Sequence, residues 1–307
     1  MSAEIILEIL SNHINLDPDL ALYYLLDFSI SVAILSGMRF LAGTVANVSA
    51  THEISQKDNK AFGVSLAGAM VAVSIMLMGV VSGDAGFSLA DEAQSMFIFG
   101  VVGIILMWIT RIVLDRLSFP SLSIQNQIMQ GNMAASIIDA CNMVATAIII
   151  RGAMTWVDGN LGISLLAVVI SFFASQIIMA LATLYRVKVY AKRHNNEQLH
   201  TAIEQDNVAL SLRFGAYRIG IAIAVSAAFT AVEYVTQDFA LVFVIWFAVA
   251  LLLFILLTLI AIIIRLGVLH KVNIGEEVGE QRNISVGVIE GSIYIVVGLL
   301  IAGLIGS

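Results

Sequence analysis

An asparagine-containing motif occurs four times in this 307-residue chain at nearly constant spacing. The copies begin at Asn59, Asn132, Asn207 and Asn283, which lie 73, 75 and 76 residues apart (59 to 132, 132 to 207, 207 to 283). Small residues follow four, eight and nine positions after each asparagine, on one face of a helix, where they let helix backbones approach closely in lipid. A small residue also stands two positions after each asparagine: Ala61, Ala134, Ala209 and Ser285. Such a chain is expected to fold as a series of similar units.

The seventh position after each asparagine divides the copies into two kinds. The odd copies carry Leu66 and Phe214, whereas the even copies carry Asp139 and Glu290. We interpret this alternation as a tandem duplication of a unit that is itself a duplication, with halves at residues 1–157 and 158–307. A bolder version of the same interpretation places the four units around a pseudo-fourfold axis.

The composition predicts a polytopic membrane protein. Hydrophobic residues make up 60% of the chain, charged residues 12%, and the mean hydropathy is +0.97. The predicted fold is an all-α membrane protein with eight transmembrane helices, arranged as four parallel two-helix repeats. Eight apolar stretches are long enough to span the hydrocarbon layer: 20–47, 60–82, 91–117, 134–156, 160–191, 208–232, 238–268 and 284–306.

Basic residues predict the orientation. The long connections after the odd-numbered spans, with their flanks, hold twelve of the fifteen lysines and arginines, so the positive-inside rule makes them cytoplasmic and puts both termini outside. One of these residues, Arg39, Arg111, Arg186 or Arg265, stands near the end of the first helix of each unit. Residues 2–12 read as an acidic interfacial helix, and the N-terminus lacks the features of a signal peptide. Apolar residues at helical spacing before three of the asparagines predict short amphipathic helices on the inner membrane surface.

The asparagines have two interpretations. The plain one is that each caps the start of a helix by accepting hydrogen bonds from free backbone N–H groups. The functional one is that four helix N-termini and four carboxamides surround a cytoplasmic vestibule, which would favour anions.

The intramembrane charges are the sharper functional signal. Asp139 and Glu290 lie roughly 10 Å along their helices, inside the hydrocarbon layer, where an ionisable residue needs a partner. Arg213 and Arg218 lie at a similar depth in the third unit. We expect the two acids to face a shared interior, with at least one of them close to Arg213 or Arg218. Asn142 and Gln176 could extend the same polar network. Structural pairing of these charges and an ion pathway remain alternatives.

Other classes of function find no support in the sequence. There is no zinc-protease, nucleophile-elbow or Walker motif, and the five histidines lie outside the spans, so we expect no enzyme, cofactor or metal site. A net charge of −7 argues against nucleic acid, which leaves the lipid bilayer as the main partner. The favoured function is a channel or transporter for a small ion or polar solute that uses the intramembrane carboxylates. The alternative is a non-catalytic scaffold that recruits a cytoplasmic protein partner through its linkers. The oligomeric state is open.

The motif also resembles a known family. An Asn-x-Ala sequence followed by a small-residue face, in paired two-span units, is similar to the YjfL-like bacterial inner-membrane proteins, classified as domain of unknown function 350. The closest likenesses are Asp58-Asn59-Lys60-Ala61 with Ser65-Leu66-Ala67-Gly68, and Asn132-Met133-Ala134-Ala135 running on to Met154-Thr155-Trp156. Gly131, Arg282 and Ser285 depart from the pattern. The resemblance implies two four-span units in tandem, an inner-membrane location and an envelope-related process, but no biochemical activity.

Overall fold

The computed structural model describes residues 21–46, 48–81, 88–157, 161–194 and 197–306. Within these ranges, eight helices are long and apolar enough to cross a membrane, which confirms the predicted fold class. The first helices of the four units are α1 (Ala21–Ala46), α3 (Leu89–Val113), α6 (Leu161–Arg193) and α9 (Phe239–Val268). The second helices are α2 (Lys60–Val81), α5 (Met133–Trp156), α8 (Val208–Ala231) and α10 (Ile284–Gly306). The predicted interfacial helix at 2–12 lies outside the described residues.

The linker between the first and second helix of each unit contains a short helical segment. Two of these are α4 (Ile124–Met129) and α7 (Leu199–Glu204), and the other two linkers contain π-helical turns at His52–Gln56 and Glu276–Glu280. The sequence predicted such segments on a membrane surface. In the structure the apolar residues of these segments are buried against the second helices, as the exposures of Ile128 (5%) and Ile203 (0%) indicate. We call this end of the bundle the linker face and the opposite end the turn face.

Each second helix begins next to its asparagine because the side chain accepts a hydrogen bond from the first helical turn. The Asn132 Oδ1 atom lies 2.8 Å from the backbone nitrogen of Ala135, and the other three asparagines make the same bond at 3.0, 3.0 and 3.3 Å. The capping interpretation therefore describes all four.

The asparagines also join successive units. The amide of Asn59 donates to the carbonyl of Ile128 (3.1 Å), Asn132 to Ile203 (2.8 Å), and Asn207 to Val278 (2.9 Å). Every acceptor lies in the linker of the following unit. All four second helices therefore start from the linker face and run in the same direction, as expected of parallel repeats.

The spanning helices form two rows. The second helices make an inner row in the order α2, α5, α8, α10, and the first helices make an outer row in the order α1, α3, α6, α9. No packed interface joins α2 to α10 in the part of the chain that the structure describes. The inner row is therefore open, and the bolder pseudo-fourfold arrangement is wrong.

Small residues let the inner row pack tightly. A Cβ atom on Gly220 of α8 would lie 2.4 Å from the carbonyl oxygen of Tyr294 on α10, and one on Gly298 would lie 2.7 Å from the carbonyl oxygen of Gly220. Since larger side chains cannot occupy these positions, the helix backbones approach one another closely, as is typical of helix packing in lipid. This contact places buried polar side chains of neighbouring helices within hydrogen-bonding distance.

Candidate ion site in the membrane interior

The residue before each asparagine adopts a left-handed backbone conformation. Its φ is +48° at Asp58, +86° at Gly131, +57° at Asp206 and +53° at Arg282. Glycine and aspartate tolerate this region better than arginine does, which explains why Gly131 fits although the odd copies carry aspartate. The side chains of Asp206 and Arg282 reach back to the preceding unit. Asp206 accepts the N–H of Ala134 (2.7 Å), and Arg282 donates to the carbonyl of Gln205 (2.9 Å).

The repeat-motif residues thus serve packing and capping. Ala61, Ala134 and Ala209 are completely buried, whereas Ser285 is exposed on α10 at the end of the inner row. Since both the oxygen and the amide of every asparagine make hydrogen bonds within the protein, the carboxamides do not line an open vestibule.

Asp139 is paired with an arginine that the sequence analysis placed only at a helix end. Arg111 of α3 donates through Nε to Oδ1 (3.0 Å) and through Nη2 to Oδ2 (2.7 Å), and Ser65 of α2 donates to the same Oδ2 (2.6 Å). A fork-to-fork pair of this kind fixes both side chains. Asp139 is 1% exposed, whereas the Arg111 side chain is 28% exposed.

This pair borders a cavity of about 140 Å³. Its wall is largely apolar, formed by residues such as Phe62, Ile104 and Met143, and Arg111, Asp115 and Asp139 supply the charge. Asp139 therefore lies beside a space that could hold several water molecules.

Glu290 occupies the equivalent position in the second half but has a drier environment. It is completely buried and contacts two arginines, Arg213 of α8 through Nη2 (2.9 Å) and Arg265 of α9 through Nη1 (3.2 Å). Arg265 comes from the same part of its unit as Arg111. Arg213 stands six residues after its asparagine, where the first half has Ser65.

Arg186 of α6 lies beside this pair without contacting a carboxylate among the described residues. Its guanidinium carbon lies 4.1 Å from the ring centre of Tyr217 and 4.7 Å from that of Tyr294. Its Nε and Nη2 atoms are buried, and neither has a hydrogen-bond partner in the described part of the chain. A narrow cleft of about 20 Å³, lined in part by Arg186, Arg193 and Arg213, opens next to it near the linker face.

Arg218 is the most isolated charge. It is 2% exposed and donates to Thr183 Oγ1 (2.8 Å) and to Asn142 Oδ1, but no acid among the described residues lies within ion-pair distance. The expectation that at least one of the acids lies close to Arg213 or Arg218 is confirmed by Glu290 and Arg213. Arg218 contacts only neutral oxygens among the described residues.

A chain of uncharged polar groups continues from Arg218. The Asn142 amide donates to Thr110 Oγ1 (3.4 Å), Thr110 is 2.9 Å from Thr146 Oγ1, and Thr110 also donates to Gln176 Oε1 (3.2 Å). The Gln176 Nε2 atom has no partner among the described residues. These groups extend the polar interior towards the middle of α5.

Aromatic side chains fill the space between α5, α8 and α9 nearer the turn face. Trp156, Phe229, Tyr234, Phe243 and Trp246 form one cluster with ring centres 4.6 to 6.4 Å apart, and the Trp156 indole donates to the Val232 carbonyl. No group of three histidine, cysteine, aspartate or glutamate side chains able to hold a metal ion occurs in the described ranges.

Comparison with protein families identifies the repeat. The sequence profile of DUF350, a domain of unknown function, matches the chain twice in tandem, at residues 12–154 and 160–305. The chain belongs to the DUF350 family. It is also similar to a UPF0719 transmembrane protein of Aquifex aeolicus (strain VF5), with 26% identity over 133 residues. This similarity covers 43% of the chain and 49% of that protein. No solved structure matches the chain.

The two DUF350 units differ most at their buried charges. The first holds Asp139 with Arg111 and Ser65, and the second holds Glu290 with Arg213 and Arg265. The sequence predicts that both acids are buried, but it does not show that their partners include the arginines at the ends of the first helices. The signal was present, because Arg111 lies 21 residues before Asn132 and Arg265 lies 18 residues before Asn283. Side chains at these helix ends can reach the acid seven residues into the next helix of the same unit.

Proposed function

We propose that this DUF350 protein binds a small inorganic anion in its second unit and moves it across the membrane. The observation that carries the proposal is the excess of buried positive charge in that unit. Arg186, Arg213 and Arg218 are each at most 9% exposed, and Glu290 is the only buried acid among the described residues of the unit. Intramembrane charges without a partner are costly, so a mobile anion would supply the missing counter-charge.

Arg186 is the first site on this route. Its two unpartnered nitrogens lie beside the cleft near the linker face, and a guanidinium group offers several N–H donors in a fixed plane. The rings of Tyr217 and Tyr294 pack against the guanidinium and hold it in place. An anion entering the cleft would therefore meet a buried positive charge that no carboxylate of the described residues pairs with.

Arg218 is the second site. Arg213 and Arg218 lie five residues apart on α8, about 7.5 Å along the helix axis, so their charges lie at successive depths of the same helix. Beyond Arg218 stand neutral donors, the hydroxyls of Thr110 and Thr146 and the free amide of Gln176. The aromatic cluster at Trp156 closes the route in this conformation, so transport requires that cluster to open. A fixed positive charge in a narrow path also excludes cations.

Location and orientation are part of the proposal. The basic residues around the linkers favour a cytoplasmic linker face and both termini outside, and the family resemblance favours the bacterial inner membrane. The cleft beside Arg186 then opens towards the cytoplasm. Cysteine labelling of Ser2 and of Asn195 in a Cys141→Ala background tests this, because only the first should react from outside.

Transport can be tested with the purified protein in liposomes. Chloride, nitrate, sulfate and inorganic phosphate are each supplied alone, and uptake is followed under an imposed potential. We expect uptake of at least one of them, reduced about tenfold or more by Arg218→Gln or Arg186→Gln, because each variant loses a full charge from the route. The exposed Arg116 gives a matched control, and Arg116→Gln should transport like the wild type.

One observation favours the scaffold alternative. The completely buried Glu290 and its two arginines form the paired, dry core that a purely structural role needs. If the folded wild-type protein passes none of the four anions, or if Arg218→Gln and Arg186→Gln pass them as the wild type does, the transport proposal fails. The function would then rest on partners recruited at the linker face.

A further inference from the structure

The inner row of helices repeats one interface three times. The residue nine positions after the asparagine of one unit packs against the residue eight positions after the asparagine of the next. A Cβ atom on Gly68 would lie 2.3 Å from the Ala140 Cβ atom. Likewise, a Cβ atom on Gly215 would lie 2.6 Å from Cys141 Sγ, and one on Gly291 would lie 2.8 Å from the Ala216 Cβ atom. Each second helix thus has a leading face, which contacts the next unit, and a trailing face, which contacts the previous one.

The trailing face of α2 packs against no other second helix in the described part of the chain. It consists of Gly63, Ala67, Met70 and Ser74, at positions that hold small residues or Met143, Arg218 and Tyr294 in the later units. Ala67, Met70 and Ser74 are exposed, and a Cβ atom on Gly63 would meet nothing within 4 Å. In contrast, a Cβ atom on Gly287, at the same position of the fourth unit, would lie 2.4 Å from the Ala209 carbonyl oxygen.

The leading face of α10 is unused at the other end of the row. It consists of Ser285, Ser292 and Val296, all of which are exposed. The first two are as small as the residues that fill these positions in the inner units, for example the buried Ala134 and the half-buried Cys141. Val296 is larger than its counterparts Ala72, Ala145 and Gly220.

At both ends of the inner row, polar groups at the linker face lack the contacts that their counterparts make with a neighbouring unit. Asp206 binds back to the N–H of Ala134, whereas Asp58, its counterpart in the first unit, is exposed and makes no hydrogen bond or ion pair among the described residues. The amide of Asn283 donates to Glu277 of its own linker (2.8 Å) and to no carbonyl of another linker among the described residues. The first unit therefore has an exposed carboxylate acceptor, and the fourth unit has the helix N-terminus to which such a carboxylate binds.

From this complementarity we propose that a second copy of the chain docks head to tail, with the trailing face of α2 seated on the leading face of α10. The interface continues the one that already joins the units within the chain, in the same register and with the helices parallel. Ala67 of one copy contacts Ser292 of the other, and Asp58 accepts the N–H of Ser285. A heterologous interface of this kind closes into a ring or extends as an open array.

Disulfide trapping in membranes tests the register. Two differently tagged copies are co-expressed in a Cys141→Ala background, one with Ala67→Cys and the other with Ser292→Cys, and are then oxidised. We expect a disulfide-linked product that carries both tags. Each variant expressed alone should give none, and neither should Ala67→Cys paired with Leu252→Cys, because Leu252 is an exposed residue of the outer row. Maleimide labelling verifies that each cysteine is reactive.

A blocking substitution tests the interface independently of cysteine chemistry. Gly63→Leu fits the isolated chain, since the space around Gly63 is open, but it would collide with a docked copy as a Cβ atom on Gly287 collides with Ala209. The trapped yield should fall about tenfold, as expected for overpacking an interface. Gly37→Leu is the matched control, because Gly37 on α1 is equally open and lies in the outer row.

Three results would overturn the proposal. The first is trapping of Ala67→Cys with itself or of Ser292→Cys with itself, which would indicate a twofold interface. The second is a trapped yield that Gly63→Leu leaves unchanged, and the third is the absence of any trapped product although both cysteines react with maleimide.

Discussion

The two DUF350 units share one architecture but have buried charges of opposite sign. The buried carboxyl and guanidinium side chains described in the first half are all acids: Asp27, Glu53, Glu92 and Asp139. Those of the second half are Arg186, Arg213 and Arg218 together with Glu290. In the first unit the acid, Asp139, pairs with Arg111 beside a cavity. In the second unit the equivalent acid, Glu290, is buried between two arginines. A repeat can therefore conserve its helix packing while its interior changes charge through a few substitutions, of which Ser65 against Arg213 is the clearest.

Replacing Glu290 should give the largest effect. Glu290→Gln leaves Arg213 and Arg265 without a carboxylate in a dry site, and we expect a loss of about 3–5 kcal/mol in the free energy of unfolding. Unfolding in mixed detergent measures it. The double variant Glu290→Gln with Arg213→Met should be more stable than Glu290→Gln alone, because it also removes one of the buried cations. A double variant that is less stable would mean that packing, not charge, dominates the site.

Converting the second unit towards the first should cost less. Arg213→Ser places at this position the residue type found at Ser65, and Glu290 keeps Arg265 as its partner. We expect about 1–3 kcal/mol, mainly from the lost volume. The same unfolding measurement applies, with Arg116→Gln as the exposed control. A loss as large as that of Glu290→Gln would contradict the equivalence of the two sites.

Asp139→Asn should have a smaller effect than Glu290→Gln. The Arg111 side chain is 28% exposed and borders the cavity, so water can solvate it once the carboxylate is gone. We expect a loss of about 1–2 kcal/mol. Equal losses for the two carboxylate variants would show that the cavity does not hydrate the first site. An asparagine variant as stable as the wild type would show that the pair contributes nothing to stability.

The smallest effect is expected at Glu53, in the linker of the first unit. Glu53 and its counterpart Glu277 each lie six residues before the asparagine of their unit and accept a hydrogen bond from its amide. A hydrogen bond from Lys57 holds the pKa of Glu53 below its ordinary value of 4.5. This group therefore adds stability above that value, which is lost as the pH falls through the lower folded-state pKa. Glu53→Gln should cost below about 1 kcal/mol at pH 7 and flatten the stability profile below pH 4.5. Thermal unfolding across pH 3 to 7 measures this, and an unchanged profile would place the acid dependence elsewhere.

Local rules were enough to predict the helices and their parallel arrangement. Hydropathy identified the eight spans, and capping accounts for the position of each asparagine at the start of a second helix. The order of packing between helices was not predictable in the same way, because the spacing of the repeats suits a ring as well as an open row. The choice depends on whether α2 and α10 meet, which no local pattern specifies.

The candidate site was predictable only in part. Depth along the helix identified Asp139, Glu290, Arg213 and Arg218 as buried charges, since each follows its asparagine by a known number of residues. Their partners depend on how far a long side chain extends from the end of a neighbouring helix. Arg111 and Arg265 therefore looked like surface residues in the sequence, and the two neutral partners of Arg218 come from two different helices.

The asparagine bridges also have a consequence for biosynthesis. The amide of Asn59 binds a carbonyl 69 residues later in the chain, and those of Asn132 and Asn207 each bind one 71 residues later. During translation, the asparagine of a helix pair that has entered the membrane therefore cannot make its amide hydrogen bond until the next linker has emerged from the ribosome. Assembly proceeds from the N-terminus in steps of one unit, and a nascent chain stalled between units exposes a single incomplete end to quality control.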